Sequence, residues 1–346
     1  MHVEESEWAR LRELRERFLA PQGAGPDYWS DRRLCELYDG TFGRRIAWKW
    51  RAVWSELEAR GRMPEARTIL DWGCGSGIAA REHARAAGPR AGAARYFLFD
   101  RSRDAVAFAA DALGREAPGT TVETRLPGPG ETPGETPGEI VDLLLSSHVL
   151  GELDGAGRAA LAAEARRARA VIFVEPGLRT VSRDLGRLRD ELLLEPGPGG
   201  LPREVLGPCT HSEACGLFAA GRERDWCHFF AAPDPEVFTT AAWREFSRRL
   251  SIDLRSVPYS YVALGSGAEG LSQAPASGGE LQLRILGRPR LEKGQAKLDA
   301  CDASGVRVLR MLERDDRAFV KQLAEPSGLA RAFHAAVDGD RIRSIH

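Results

Sequence analysis

The stretch Thr68–Gly77, TILDWGCGSG, constrains the fold most, because an apolar strand pattern runs directly into a glycine-rich turn. Glycines stand at alternating positions 73, 75 and 77, and the helix-compatible run IAAREHARAA follows them. Glycine permits a tight turn and lets a ligand approach the backbone, and the start of the next helix offers free N–H groups. An ordinary glycine-containing turn between a strand and a helix is the alternative interpretation.

The next predicted strand, Arg95–Asp100, argues against that alternative because it is apolar and ends in an acid, RYFLFD. An acid at this position is where a doubly wound fold hydrogen-bonds a ribose. The spacing D-x-G-x-G-x-G also resembles the first motif of the S-adenosylmethionine-dependent methyltransferases. This resemblance implies S-adenosylmethionine as cofactor, with contacts expected at Asp71, Gly73, Gly75, Gly77, Asp100 and His148.

Strand and helix patterns alternate along the chain, which argues for a mostly parallel sheet with right-handed crossovers. The predicted fold is a doubly wound α/β fold with a seven-stranded sheet, whose strands are 67–72, 95–100, 120–125, 140–146, 170–175, 258–265 and 280–287. The tryptophan-rich run Ile46–Leu57 is interpreted as a packed helix rather than a base-stacking platform. The repeat-bearing segment Pro127–Glu139 is predicted to be a disordered insertion.

The expected division is a helical region at 1–65, a cofactor-binding domain at 66–190 and 255–290, and a cysteine-containing metal-binding lobe with a C-terminal extension at 191–254 and 291–346. The 346 residues include no run of 18 apolar residues, and the first residues are charged. We therefore expect a cytoplasmic protein without a membrane segment. The formal net charge of −1 means that any contact with RNA must come from a local basic patch.

Three cysteines lie close together in a polar, loop-like context with the spacing C-x5-C-x11-C, and a fourth follows much later in the chain. These residues are Cys209, Cys215, Cys227 and Cys301. Thiolates in this setting suit zinc or an iron–sulfur cluster, and the alternative is that the cysteines simply pack in the core. His211 and His228 could complete a zinc site, so the spacing leaves zinc and iron–sulfur open.

Several motifs together resemble the methyltransferase-like family of mitochondrial small-ribosomal-subunit assembly factors and their bacterial relatives. The matching residues are Glu175-Pro176-Gly177, Pro208-Cys209, His211, Cys215, Trp226-Cys227-His228-Phe229, Tyr259-Ser260-Tyr261, Arg284 to Pro289, and Leu298 to Cys301. The resemblance implies that the four cysteines ligate a [4Fe–4S] cluster, with the two histidines as supporting groups or helix caps. It also implies that the small ribosomal subunit and its rRNA are the partners. An arginine-proline element and a tryptophan-glycine-aspartate ending, both expected of the family, are absent.

The sequence assigns no catalytic residue. The N/D-P-P-Y/F loop of many base N-methyltransferases is replaced by Ser146-Ser147-His148-Val149, and His148 is expected to cap its strand and contact cofactor rather than act as a general base. The best candidates for RNA contact are the basic residues Arg284, Arg288, Arg290, Lys293 and Lys297.

The favoured function is a cofactor-binding, iron–sulfur-containing protein that methylates rRNA or assists assembly by binding it. One alternative is a methyltransferase of a small molecule or protein with a structural zinc. The other is a catalytically silent assembly factor whose cluster senses iron or redox state.

Overall fold

The computed structural model describes residues 3–19, 29, 31–127, 140–266, 281–324 and 333–345. Its α-helices are α1 (Glu5–Leu19), α2 (Arg32–Tyr38), α3 (Arg44–Ala59), α4 (Ile78–Ala87), α5 (Arg103–Glu116), α6 (Gly155–Arg167), α7 (Arg179–Leu194), α8 (Glu236–Thr239), α9 (Ala241–Leu250) and α10 (Arg317–Gln322). Its strands are β1 (Thr68–Trp72), β2 (Arg95–Phe99), β3 (Thr121–Arg125), β4 (Leu143–Ser147), β5 (Ala170–Pro176), β6 (Arg203–Gly207), β7 (Phe229–Ala231), β8 (Val257–Ser266), β9 (Leu281–Glu292), β10 (Gln295–Asp302), β11 (Gly305–Leu312), β12 (Phe333–Asp338) and β13 (Arg341–Ile345).

The chain forms two compact units, each built from three separate segments. The first comprises Met1–Trp54, Pro64–Val174 and Ala232–Val257, and the second comprises Ser55–Met63, Glu175–Ala231 and Pro258–His346. Of the insertion predicted at Pro127–Glu139, only Pro127 lies within the described residues. Within the described parts of the chain, no helix has the length and apolar character needed to cross a membrane.

The first unit contains a parallel sheet in the order β3-β2-β1-β4-β5. Strand β1 pairs with β2 on one side and with β4 on the other, so the strand order reverses between β1 and β4. In a doubly wound sheet, ligands bind beyond the carboxyl ends of the strands at such a switch point. The first five predicted strands are thus confirmed, each within a few residues of its expected bounds.

The tryptophan-rich helix α3 is a packing element of this unit. Trp50 is fully buried and stacks on Trp54 with 5.6 Å between ring centroids. Trp54 in turn meets the ring of His83 on α4 edge to face. Because these rings make contacts within the protein, the interpretation of a packed helix is confirmed.

The second unit corrects the predicted sheet. Strand β8 pairs antiparallel with β6, which lies in the region predicted to be an insertion. Residues 281–287, predicted as the seventh strand of that sheet, belong instead to β9, which pairs with β10 and β12. Both β8 and β9 are apolar runs, and an apolar run does not specify which strand it pairs with.

A closed barrel of five described strands occupies 281–345, in the order β10-β11-β13-β12-β9. Adjacent strands pair antiparallel except β11 and β13, which are parallel. Its interior is filled by alternate apolar side chains, including Leu283, Leu298, Leu309, Met311 and Ile342. The sequence reasoning treated most of this region as a tail and did not foresee the barrel.

Candidate functional site

The turn after β1 is tight enough to require glycine. Gly73, Gly75 and Gly77 have φ angles of +70°, +52° and +76°, in the left-handed region that other residues avoid. A Cβ on Gly73 would lie 2.6 Å from a Val149 methyl carbon, and one on Gly77 would lie 2.9 Å from the Cβ of Ala109. The predicted strand–turn–helix unit is confirmed, and its glycines are needed for both conformation and space.

Two buried carboxyl groups organise this turn. The Asp71 carboxyl accepts a hydrogen bond from the Ala80 N–H on α4 at 3.0 Å, and its other oxygen has no partner. Burial raises the pKa of Asp71 to about 7, opposed by the Ala80 N–H and assisted by the charge of Asp100. The Asp100 carboxyl accepts from the N–H groups of Gly75 at 2.9 Å and Ser102 at 3.0 Å. The predicted ribose acid and the predicted methionine loop therefore lie in direct contact.

His148 lies directly after β4 and is itself in a left-handed conformation, with φ +60°. Its Nε2 is 2.9 Å from the Nζ of Lys49 on α3, a lysine that is only 6% exposed. Burial, followed by the charges of Lys49 and Arg45, holds the pKa of His148 well below its usual range. The ring is therefore neutral, and its Nε2 accepts a hydrogen bond from the ammonium group.

Sequence reasoning missed Lys49, which lies almost 100 residues from His148. The available signal was compositional, because Lys49 is one of only four lysines in an arginine-rich chain. Burying a lysine ammonium group costs free energy unless a polar atom accepts its hydrogen bonds. The Nε2 atom of the neutral His148 accepts one of them. The glycine loop, Asp100 and His148 follow β1, β2 and β4, at one edge of the parallel sheet, and Lys49 contacts His148 from α3.

The four clustered cysteines all lie in the second unit. Cys209 follows β6, Cys215 precedes a short 3-10 turn at Gly216–Phe218, and Cys227 precedes β7. Cys301 lies on barrel strand β10. The segment that carries the first three has little regular structure, so its backbone groups need partners from elsewhere.

Arginine side chains provide those partners. Arg60 donates to the carbonyl oxygens of Pro208 at 2.7 Å and Cys209 at 3.2 Å. Arg189, which is 2% exposed, donates to the carbonyl of His211 at 2.7 Å. Arg183 donates to three carbonyls between residues 217 and 225, and Arg222 donates to the carbonyl of Val306 on β11.

The thiols of this segment influence one another. Burial raises the pKa of Cys215 to about 11, with the charge of Cys209 contributing, and burial raises the pKa of Cys301 to about 12, with Cys209 and Cys215 contributing. The pKa of Cys227 rises further, again mainly from burial. Such coupling requires proximity.

In the described ranges, no group of three or more His, Cys, Asp or Glu side chains has an arrangement that could hold a metal ion. The Sγ of Cys301 lies 3.6 Å from Nε2 of His211. The predicted metal site therefore stays a prediction.

Most of the motifs that resemble the family pack around the cysteine segment. The Trp226 indole donates to the carbonyl of Gly177 at 3.0 Å and stacks on His228 at 4.6 Å between centroids. A Cβ on Gly287 would lie 2.7 Å from the His228 ring. Phe229 contacts the rings of Tyr259 and Tyr261. The role of these motif residues in the structure is packing around the cysteine segment.

The predicted RNA patch needs one correction. Arg284 is only 2% exposed, pairs with the equally buried Glu56, and lies 3.9 Å from the Phe229 ring centroid. Because its side chain is buried, Arg284 cannot contact a phosphate. The local sequence places this arginine in an apolar strand pattern and does not reveal Glu56, the distant residue with which it pairs. The other patch residues, Arg288, Arg290, Lys293 and Lys297, are exposed or half-exposed.

The parallel sheet with its glycine turn and two acids defines a doubly wound α/β protein of the nucleoside-cofactor-binding class. The family model described as "Mitochondrial small ribosomal subunit Rsm22" matches residues 45–318. The chain belongs to this family. The cytoplasmic location expected from the sequence stays a prediction, since the family description names the mitochondrion.

No curated protein matches the chain significantly. Among solved structures, the plantazolicin methyltransferase BpumL in complex with SAH is 12% identical, covering 76% of this chain and 97% of its own, with a TM-score of 0.40. The plantazolicin methyltransferase BamL is 11% identical with the same coverage and TM-score. A precorrin-6y C5,15-methyltransferase from Geobacter metallireducens is 14% identical, covering 62% and 88%, with a TM-score of 0.34.

Proposed function

We propose that this protein binds S-adenosylmethionine in its first unit and a [4Fe–4S] cluster in its second, and acts on the small ribosomal subunit. The observation that carries the proposal is the family match over residues 45–318. The action would be either methylation of rRNA or assistance to assembly by binding it. The geometry of each unit supplies independent support.

The cofactor proposal rests on the turn after β1. Its glycines hold the backbone in a tight left-handed turn, and the Asp100 carboxyl at its edge is an acceptor that suits ribose hydroxyls. Asp71 would stabilise the turn, since its carboxyl accepts a hydrogen bond from the Ala80 N–H in the first turn of α4. S-adenosylmethionine supplies an electrophilic methyl group, and the protein has to align a nucleophile with it and accept a proton.

The cluster proposal rests on the chemistry of the donor set. The pKa values of Cys215, Cys227 and Cys301 are raised mainly by burial, with neighbouring thiols contributing, and the charges of Arg189 and Arg284 oppose this rise. Positive charge near several thiolates offsets their mutual repulsion. Cys209, Cys215, Cys227 and Cys301 would hold the cluster. The contact between His211 and Cys301 favours zinc as the alternative metal, because imidazole is a common zinc ligand.

Metal identity is tested by anaerobic purification, a visible spectrum, and quantitation of iron, sulfide and zinc. We expect iron, sulfide and a broad band near ~400 nm, lost in Cys227→Ser and Cys301→Ser. Cys35→Ala is the control, since Cys35 is a further cysteine outside any disulfide but lies in the other unit. A colourless protein with one zinc that depends on His211 would establish the alternative.

Cofactor binding is tested by calorimetry with S-adenosylmethionine. Gly75→Arg should abolish binding, because Gly75 is in the left-handed region and a Cβ there already lies 3.3 Å from Trp29. Gly92→Arg is the control, since its Cβ would meet nothing within 4 Å. Equal binding by both variants would exclude this turn as the cofactor site.

A catalytically silent assembly factor is the second candidate. It is favoured by the pair of His148 and Lys49, because a neutral histidine that accepts from an ammonium group has no free Nε2 with which to remove a proton. Co-sedimentation with small ribosomal subunits, with and without Gly75→Arg, separates the two. Retained binding and unimpaired subunit maturation in this variant would favour the silent factor.

A further inference from the structure

The connectivity of the C-terminal barrel identifies a second ligand-binding surface. Its first strand, β9, pairs with its second and fourth, its third and fifth strands pair in parallel, and helix α10 lies between the third and fourth. This is the connectivity of the oligonucleotide/oligosaccharide-binding fold. In that fold the outer face of strands two and three and the loops joining strands 1–2 and 4–5 take the ligand. In this barrel they are β10, β11 and the turns Lys293-Gly294 and Gly339-Asp340.

A row of cations crosses the open part of this face. Lys297 on β10 lies opposite Arg290 on β9 and opposite Arg310 on β11. Their side chains are 39%, 53% and 47% exposed, because the alternate residues of these strands fill the barrel interior. With neighbouring strands about 4.8 Å apart, the row is about 10 Å long.

The placement of three cations side by side on adjacent strands lowers the stability of the barrel, and the fold does not require it. Like charges directly opposite one another on adjacent strands are destabilising. Each cation has a carboxylate close by, Asp299 at 3.0 Å from Arg290, Glu292 at 2.9 Å from Lys297 and Asp340 at 3.1 Å from Arg310. Exposed ion pairs contribute little free energy, so an incoming phosphate can compete for these cations.

The same face exposes apolar surface beside the cations. Val308 on β11, two residues from Arg310 and therefore on the same face, is 45% exposed. Bases can rest on such side chains while their phosphates meet the row. The composition agrees, since the described barrel residues carry twelve Lys and Arg against eight Asp and Glu, whereas the whole chain carries 49 against 50.

The other half of the face is covered by the cysteine segment. A Cβ on Gly216 would lie 2.7 Å from the Cα of Gly305, and Arg222 donates to the carbonyl of Val306 at 2.8 Å. Cys301, at this end of β10, is opposite Val306. The ligand is therefore restricted to the half that carries Arg290, Lys297 and Arg310.

We propose that this half of the barrel face binds single-stranded RNA through its phosphates, in a manner tolerant of sequence. The inference rests on the proposed ribosomal function for the choice of RNA, and it names the surface involved. The fold argument is an analogy, and the charge row is the independent observation that supports it.

The test uses the full chain and a fluorescein-labelled oligouridylate of about twelve nucleotides, a length within the usual range of such folds. Anisotropy is followed over a salt series for the wild type and the variant R290Q/K297Q/R310Q. The matched control is R85Q/R169Q/R255Q, whose side chains are 52%, 54% and 80% exposed and each pair with at least one carboxylate. Thermal unfolding of both variants checks that the fold is kept.

We expect the barrel variant to bind roughly 10- to 100-fold more weakly near about 50 mM salt, with the slope of log affinity against log salt reduced by about 2. The control should bind like the wild type, and an RNA duplex should compete poorly. Equal losses in both variants, no RNA binding by the wild type, or preference for the duplex would overturn the proposal.

These outcomes are separable from failure of the proposed function. Oligouridylate binding is measured without ribosomal subunits, cofactor or methyl transfer. A protein that binds the oligonucleotide but does not co-sediment with small subunits would contradict the ribosomal function and leave this surface standing. A protein that co-sediments with small subunits but does not bind the oligonucleotide would contradict this surface and would place the subunit contact elsewhere.

Discussion

Arg284 and Glu56 form an ion pair in which each side chain is only 2% exposed. The Arg284 guanidinium also lies over the Phe229 ring, so it is enclosed by a charge, an aromatic face and the strand pairing of β9. A buried pair is not necessarily stabilising as a whole, but removal of Glu56 leaves the Arg284 charge unpaired in the interior. Removal of Arg284 is milder, because Glu56 also pairs with Arg60 at 3.0 Å.

Glu56→Leu should therefore destabilise the protein by about 3–5 kcal/mol, and Arg284→Met by less. The double variant Arg284→Met/Glu56→Leu should recover much of the Glu56→Leu loss, because the buried Arg284 charge is then also removed. Urea unfolding of the two single variants and the double variant measures the coupling. Additive losses would show that the two side chains act independently.

Alanine substitutions at glycines with positive φ can distinguish the free-energy cost of backbone strain from that of a steric clash. Gly77→Ala should cost about 1–2 kcal/mol for the left-handed conformation, and more because the new Cβ would lie 2.9 Å from Ala109. Gly61→Ala, at φ +63° with nothing within 4 Å of its Cβ, should show the strain alone. Equal losses of unfolding free energy in the two variants would contradict the close contact at Ala109.

His83 makes stability depend on pH below neutrality. Burial, with a smaller effect from Arg90, lowers its folded pKa to about 4, whereas the unfolded chain titrates near the ordinary value of about 6.5. Between these values the unfolded state binds the extra proton, so stability falls as pH decreases, by about 1.4 kcal/mol per pH unit from this group.

His83→Phe removes this dependence. The difference in unfolding free energy between wild type and variant should shift in favour of the variant from pH 7 to pH 5, although loss of the hydrogen bond to Tyr96 lowers its stability at both. Denaturant unfolding at the two pH values measures the shift. A pH-independent difference would mean that His83 titrates normally.

The arginine contacts to the cysteine segment should control its local opening. Arg189→Gln removes donors from the carbonyls of His211 and Glu213 and leaves them buried, at a cost of about 1–3 kcal/mol each. Limited proteolysis should then cut between residues 209 and 227 faster than in wild type. Arg343→Gln, at a 46% exposed side chain that pairs with Asp338 on the barrel, should not change the cleavage rate.

Local sequence pattern was sufficient for the parallel sheet, because β1, β2, β4 and β5 are apolar runs that each begin a strand–helix unit. It was sufficient for the glycine turn for the same reason. It failed for Lys49 and Arg284, whose partners lie roughly 100 and 230 residues away in the chain. It also failed for the barrel, because closure depends on the pairing of β11 with β13 and of β9 with β12, which no local period encodes.

The discontinuous second unit has a consequence for the order of synthesis. Its cysteine segment is complete by residue 227, but the strand that carries Cys301 and covers that segment is made some seventy residues later. During this interval three thiols have no barrel against which to pack. By contrast, the barrel strands all come from 281–345, so their pairings form within one continuous stretch. Excision of the cysteine segment by itself should therefore give an unfolded peptide, whereas the segment 281–345, excised as one piece, should keep its barrel.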